Sequence, residues 1–261
     1  MLPHRFASPL LLAGAVLLLS FAPPVRAGTL SGSVVQQQFN DVNLTAQGTS
    51  DWTVWGIGDT SLAPNVQESG GNGISDLTDL TNGSPLRGLG QFDSYGESTF
   101  DWSNGTPTSS DTDAFTGLQN DGTGLVNGTN VGEGFSFSVP ADLMTQEIYI
   151  YTTVNFGVGT VTATLSDGSA SPVVLTLNGS TLFNGAFLST FIYSGDSPSE
   201  TLNVSLVLSQ NGTDDDTSNI AIQAVALGSP ATVPEPATLA LCGAGMALAS
   251  LAGFRRRKRP I

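Results

Sequence analysis

Residues 28–229 predict an all-β fold, an antiparallel β-sandwich of jelly-roll-like form. Three observations carry this. Apolar and polar residues alternate with period two in successive runs from Gly134 onward, the runs are rich in β-branched and aromatic residues, and turn signals close them every 10–15 residues. No segment between Gly28 and Val233 sustains a helical period, which argues against α/β architectures.

In chain order, Ser33–Phe39 and Asp51–Ile57 read as short strands. The stretch from Asp59 to Asn130 is sparse in large aliphatics and punctuated by Asn72-Gly73, Asn82-Gly83, Asn104-Gly105, Asp121-Gly122 and Asn127-Gly128, where positive φ costs little. It is either long loops with short edge strands or a disordered arm. Its aromatics (Phe92, Tyr95, Phe100, Trp102, Phe115) favour the first. Phe135, Phe137 and Val139 alternate with polar residues and are expected to stop at Pro140. Asp142–Gln146 fits one helical turn at a corner. Glu147–Val154 carries substantial side chains on both faces. Val161–Leu165, Val173–Leu177, Phe187–Tyr193, Leu202–Leu208 and Ile220–Leu227 complete the strands, ending near Asp167-Gly168, Asn178-Gly179, Gly195, Asn211-Gly212 and Gly228.

Both ends have a different character. Residues 1–27 read as a signal peptide for signal peptidase: His4 and Arg5, an apolar Leu10–Phe21, and a Val25-Arg26-Ala27 cleavage site before Gly28. Residues 230–261 form a tripartite tail. Pro234, Glu235 and Pro236 come first, then an uncharged apolar run over residues 237–254, then the basic block Arg255, Arg256, Arg257, Lys258 and Arg259. Those 18 apolar residues make a helix about 27 Å long, enough for a thin hydrocarbon core, and the block places the C-terminus on the cytoplasmic side. The order and the literal Pro-Glu-Pro resemble the PEP-CTERM sorting signal of Gram-negative bacteria. That resemblance implies an exosortase as partner, export through the inner membrane, transient anchoring, and delivery to the cell surface or matrix. An ordinary membrane anchor is the plainer reading.

Charge and missing residue types exclude several function classes. Between Gly28 and Val233 there are 21 acids and one base, Arg87, for a net charge of −20. Nucleic-acid binding, which needs phosphate-neutralising cations, is thereby excluded. The only histidine, His4, and the only cysteine, Cys242, lie in the two terminal segments. The ectodomain therefore has no Ser-His-Asp or Cys-His constellation, no histidine or cysteine metal site and no disulfide. No catalytic residue is assigned. Paired carboxylates for glycoside hydrolysis carry no weight, because 21 acids make pairs by chance.

Spread over residues 50–227, Trp52–Gly56, Phe100–Pro107, Phe135–Asp142, Leu165–Ala170 and Asn219–Leu227 loosely resemble a bacterial extracellular β-sandwich module of the carbohydrate-binding kind. This resemblance implies a sandwich and extracellular polysaccharide as a partner, and it supplies no catalytic residues. Trp52 and Trp55 fall on opposite faces of one strand, so at most one meets a ligand. Trp102, flanked by Asp101 and Asn104, is the candidate exposed sugar platform. Asp214–Asp216 and the Asp111/Asp113 pair are hard-oxygen clusters that would suit calcium, against the plainer reading of solvated acidic loops. No metal or cofactor is assigned. The expected role is structural or adhesive work in exopolysaccharide, with a carbohydrate-binding module as the alternative and a hydrolase after it.

Overall fold

The computed structural model describes residues 27–37, 40–80, 85–88, 98–120, 131–178, 185–212 and 218–230. Residues 1–26 of the signal peptide, the Asp214–Asp216 loop and the tripartite tail from residue 231 on, including residues 237–254, lie outside them. Among the described residues no helix is long and apolar enough to cross a membrane.

The described chain is nearly all β. In order it forms β1 (Thr29–Gln37), β2 (Asp41–Asn43), the single helical turn α1 (Leu44–Gln47), β3 (Asp51–Val54), β4 (Val66–Glu68), β5 (Thr78–Asp79) and β6 (Leu86–Gly88). Next come β7 (Thr99–Trp102), β8 (Gly105–Thr106), β9 (Asp111–Phe115), β10 (Leu118–Asn120) and β11 (Gly134–Ala141). The long strands follow: β12 (Gln146–Asn155), β13 (Gly157–Leu165), β14 (Val173–Asn178), β15 (Gly185–Ser194), β16 (Glu200–Asn211) and β17 (Asn219–Gly228).

A nine-stranded sheet runs β1-β15-β12-β17-β3-β4-β8, with β10 on β17 and β6 on β10. A five-stranded sheet runs β14-β13-β16-β11-β5. From β11 to β17 the chain changes sheet at every step except the β13–β14 hairpin, so the strands of the two sheets interleave along the sequence. Period-two burial explains the pairing. On β16, Leu202, Val204, Leu206 and Leu208 are buried, while Asn203 is exposed and Thr201, Ser205 and Val207 are partly so. These meet Phe135, Phe137 and Val139 of β11 and Ile148, Ile150, Phe191 and Val225 of the facing sheet in one core.

A second core lies on the far side of the nine-stranded sheet. A three-stranded sheet, β2-β7-β9, and α1 cover it. Its members are Leu44, Trp52, Val54, Val66, Phe100, Trp102, Tyr151, Ala224 and Ala226. The pairing of β2 with β7 is parallel, whereas the other pairings among the described strands are antiparallel. Opposite Tyr151–Thr152 of β12, β17 carries one extra residue, Gln223. This bulge shifts the alternation, so that Ile220 and Ile222 face the main core on one side of it and Val225 and Leu227 on the other.

Two local expectations are corrected. Strand β11 does not stop at Pro140 but continues to Ala141; there β11 pairs only with β16, and β5 reaches only Phe135 and Ser136. A proline is tolerated where one side of a strand needs no donor. Residues 142–145 form a bend that leads into β12, not a helical turn: the Asp142 carboxylate accepts from Met144 N at 2.7 Å, and its carbonyl accepts from Gly195 N at 2.7 Å. The helical turn is instead α1, capped by Asn43 Oδ1 accepting from Ala46 N at 2.9 Å.

Candidate functional site

Of the sequence-selected residues, Trp52, Trp102 and Asn104 come together where β3, β4, β7 and α1 meet. β3 places Trp52 in the second core and passes Trp55 into the first, so the two indoles do lie on opposite faces, and both are fully buried. Trp102 is also buried, at 3 % exposure, with its ring centroid 5.6 Å from that of Trp52. Its Nε1 donates to the Thr108 carbonyl at 3.1 Å. The exposed placement expected for Trp102 is therefore corrected: the small polar residues around it form a turn that folds over the ring. The cause is the cover that β2, β7 and β9 give the outer sheet face, a long-range arrangement that local composition does not encode.

Asn104 is the junction of this region. Its Oδ1 accepts from Thr45 Oγ1 at 2.9 Å and from Trp52 Nε1 at 3.1 Å, and its Nδ2 donates to Glu68 Oε1 at 2.8 Å. Its backbone carbonyl accepts from Ser69 N at 2.7 Å. The amide is thus committed to joining α1, β3 and β4. Burial raises the Glu68 carboxyl above its ordinary range, while the Asn104 bond pulls it back.

Asp51, missed by the sequence reading, is 2 % exposed. Its carboxylate accepts from Trp52 N at 2.8 Å, Gly73 N at 2.6 Å and Ile74 N at 3.1 Å. Burial raises its pKa and these three donors oppose the rise. A Cβ on Gly71 would sit 2.0 Å from Asp51 Oδ1, so the loop needs glycine there. Tyr151 stands edge-on to Phe100, ring centroids 5.2 Å apart, and its hydroxyl donates to Gln47 Oε1 at 2.5 Å.

Asp101 does not join Trp102 and Asn104. Together with Asp41 and Asp113 it forms a carboxylate group whose oxygens lie within 4.8 Å of one another, and it accepts from Asp113 N at 2.9 Å. Partial desolvation, followed by the charges of Asp101 and Asp113, raises Asp41. Asp113 thus clusters across strands with Asp41 and Asp101, and the expected partner Asp111 is not in the group. A second group, Asp167, Asp196 and Glu200, lies at the β15–β16 corner. These six carboxylates are the described residues that could hold a cation.

Two of the open grooves on the described surface bear on the site. One, of about 310 Å³, lies on the outer face of the five-stranded sheet, lined by Ser136, Ser138, Thr162, Thr164, Asn203 and Ser205 with Ser75 and Thr78, and carries no charged side chain. The other, of about 500 Å³, is lined by Gln37, Asn40, Asp41, Asn43 and Gln47 with Tyr151 at its base.

Residues 232–258 match the PEP-CTERM protein-sorting motif. The PEP-CTERM match spans all three parts of the tail, from the Pro-Glu-Pro break into the basic block. No curated protein matches the chain. Among solved structures, the chain is similar to the K1 cleaved adhesin domain of Lys-gingipain from Porphyromonas gingivalis W83, with 9 % identity over 61 % of this chain and 100 % of that one, TM-score 0.31. It is similar also to TmCBM61, solved with β-1,4-galactotriose, at 11 % identity over 65 % and 91 %, TM-score 0.30. A third is the CBM22-1 xylan-binding domain of Paenibacillus barcinonensis Xyn10C, at 13 % identity over 69 % and 94 %, TM-score 0.28.

Proposed function

We infer that this is an exported β-sandwich, sorted by an exosortase through its PEP-CTERM tail, that does structural or adhesive work at the cell surface or in an exopolysaccharide matrix. The tail supports the destination. The burial of all three tryptophans supports the structural role over a dedicated glycan-binding module. A sugar platform needs an accessible aromatic face, and Trp52, Trp55 and Trp102 are spent on two cores. Adhesive contact falls to the uncharged hydroxyl groove, which offers hydrogen bonds without stacking and hence weak, multivalent attachment to a neutral polymer.

The test is fractionation of cells carrying the wild-type chain or one with Pro234, Glu235 and Pro236 replaced by alanine. The wild type is expected in the surface or matrix fraction, with the variant retained in the membrane. Equal surface delivery of both would overturn the reading.

A further inference from the structure

The two sides of the sandwich treat their sheet edges differently. On one side the edges are blunted: β8 has two residues and is followed by Pro107, β5 has two and ends in Asp79, and β9 carries Asp111 and Asp113. Short strands, proline and charge are the devices that stop an edge from recruiting another strand. On the other side lie β1, nine residues long, and β14, six residues long, with neither a charge nor a proline in either. Among the described residues each is the terminal strand of its sheet, and the two lie against one another: a Cβ on Gly32 of β1 would meet Val173 Cγ1 of β14 at 3.2 Å. Exposed aliphatics gather on this side as well, Val35 at 52 %, Val174 at 59 % and Ile192 of the neighbouring β15 at 40 %.

We propose that β1 is a homotypic docking edge, on which a second copy of this chain adds its own β1 antiparallel to extend the nine-stranded sheet across a two-fold axis at Ser33. That register pairs all nine residues and keeps every side chain on its own face. Leu30 and Val34, which pack partly against the main core, meet Gln36 and Gly32 of the second copy. On the outer face Ser33 meets Ser33, and Val35 meets Ser31, the residue paired with Ile192. No like charges oppose one another, which a copy of this edge satisfies by itself. Nine residues give a seam about 30 Å long. Two sheets packed about 10 Å apart, with side chains on their outer faces, make an edge about 20 Å deep, so the pair would bury about 1,200 Å², the low end for a specific interface. Such weak pairing suits a protein concentrated at a surface. It opposes two bodies of net charge −20, so added salt strengthens it. The proposal does not depend on where the chain is delivered.

The test uses the full-length chain with Cys242→Ala, which removes the only thiol. Ser33→Cys places two thiols directly opposite each other, within the Cα spacing a disulfide spans. Mild copper-phenanthroline oxidation is expected to link it into dimers, whereas Thr78→Cys, exposed on the blunted side, stays monomeric. Ser33→Lys sets like charges against each other, and sedimentation is expected to show about tenfold weaker association with an unchanged melting temperature. Equal cross-linking at positions 33 and 78, as a dimer held by the tail alone would give, overturns the proposal. So does a Ser33→Lys chain that associates as tightly as the parent, or association weakened by salt.

Discussion

Replacing Trp102 by alanine separates the two roles this residue could have. The indole is 3 % exposed, packs on Trp52 at 5.6 Å and bonds the Thr108 carbonyl. Truncating a buried tryptophan to alanine costs about 3–5 kcal/mol, because lost transfer energy and an unfilled cavity add. In a domain of about 200 residues each kcal/mol moves the melting temperature by about 2–4 °C, so a fall of roughly 6–20 °C is expected. Trp102→Phe keeps most of the packing and loses the Nε1 bond, at about 1 kcal/mol and a few degrees. Thermal unfolding by circular dichroism gives the shift, and affinity electrophoresis in gels containing neutral polysaccharide gives retention. The structural account expects destabilisation, with no loss of retention while the protein remains folded. A Trp102→Ala chain with an unchanged melting temperature and abolished retention would refute it.

Asn104→Ala removes the acceptor for Trp52 Nε1 and Thr45 and the donor to Glu68, so a loss of about 2–3 kcal/mol and an altered near-UV tryptophan signal are expected. An unchanged near-UV spectrum would count against that junction. Asp41, Asp51, Glu68 and Glu200 all sit above their ordinary pKa, so in the folded state they hold protons more tightly than in the unfolded chain. The destabilisation they cause when ionised is relieved as pH falls through these raised values, and relief is complete below the unfolded ones. Asp59 and Asp167, lowered by bonds from Asn65 and Ser169, act in the opposite sense. The melting temperature should rise between pH 7 and the carboxylate range, less so in Asp51→Asn; a fall over that window would contradict the assignment. Calcium and sodium at matched ionic strength should give equal melting temperatures if both carboxylate groups are solvated acids, and a higher midpoint in calcium would identify a bound ion.

Period-two alternation made most long strands legible from the sequence. β12, β15 and β17 fall within one or two residues of their expected limits, because each buries a continuous apolar row. The substantial side chains on both faces of Glu147–Val154 also foretold a strand covered twice: Ile148 and Ile150 enter one core and Tyr151 the other. What covers the second face was not legible. Within residues 99–115, β7 and β9 take a register that depends on β2 and α1, more than fifty residues earlier. Trp102 consequently reads as an exposed turn residue by its neighbours and is a core residue by its tertiary partners. Asp51 reads as a strand boundary, although its carboxylate anchors a loop some twenty residues on. Gln223 shows the same limit: its side chain donates to the Ser98 and Thr116 carbonyls, which only the bulge brings within reach.

Sorting through the tail is the central claim, and C-terminal peptide mapping of the surface-associated protein by mass spectrometry tests it most directly. The account predicts a chain that ends near Pro234–Pro236 and lacks Arg255–Arg259 when the exosortase is present, and an intact tail when it is deleted. Recovery of the Arg255–Arg259 block from surface protein in the presence of the exosortase would contradict it and leave a permanent membrane anchor.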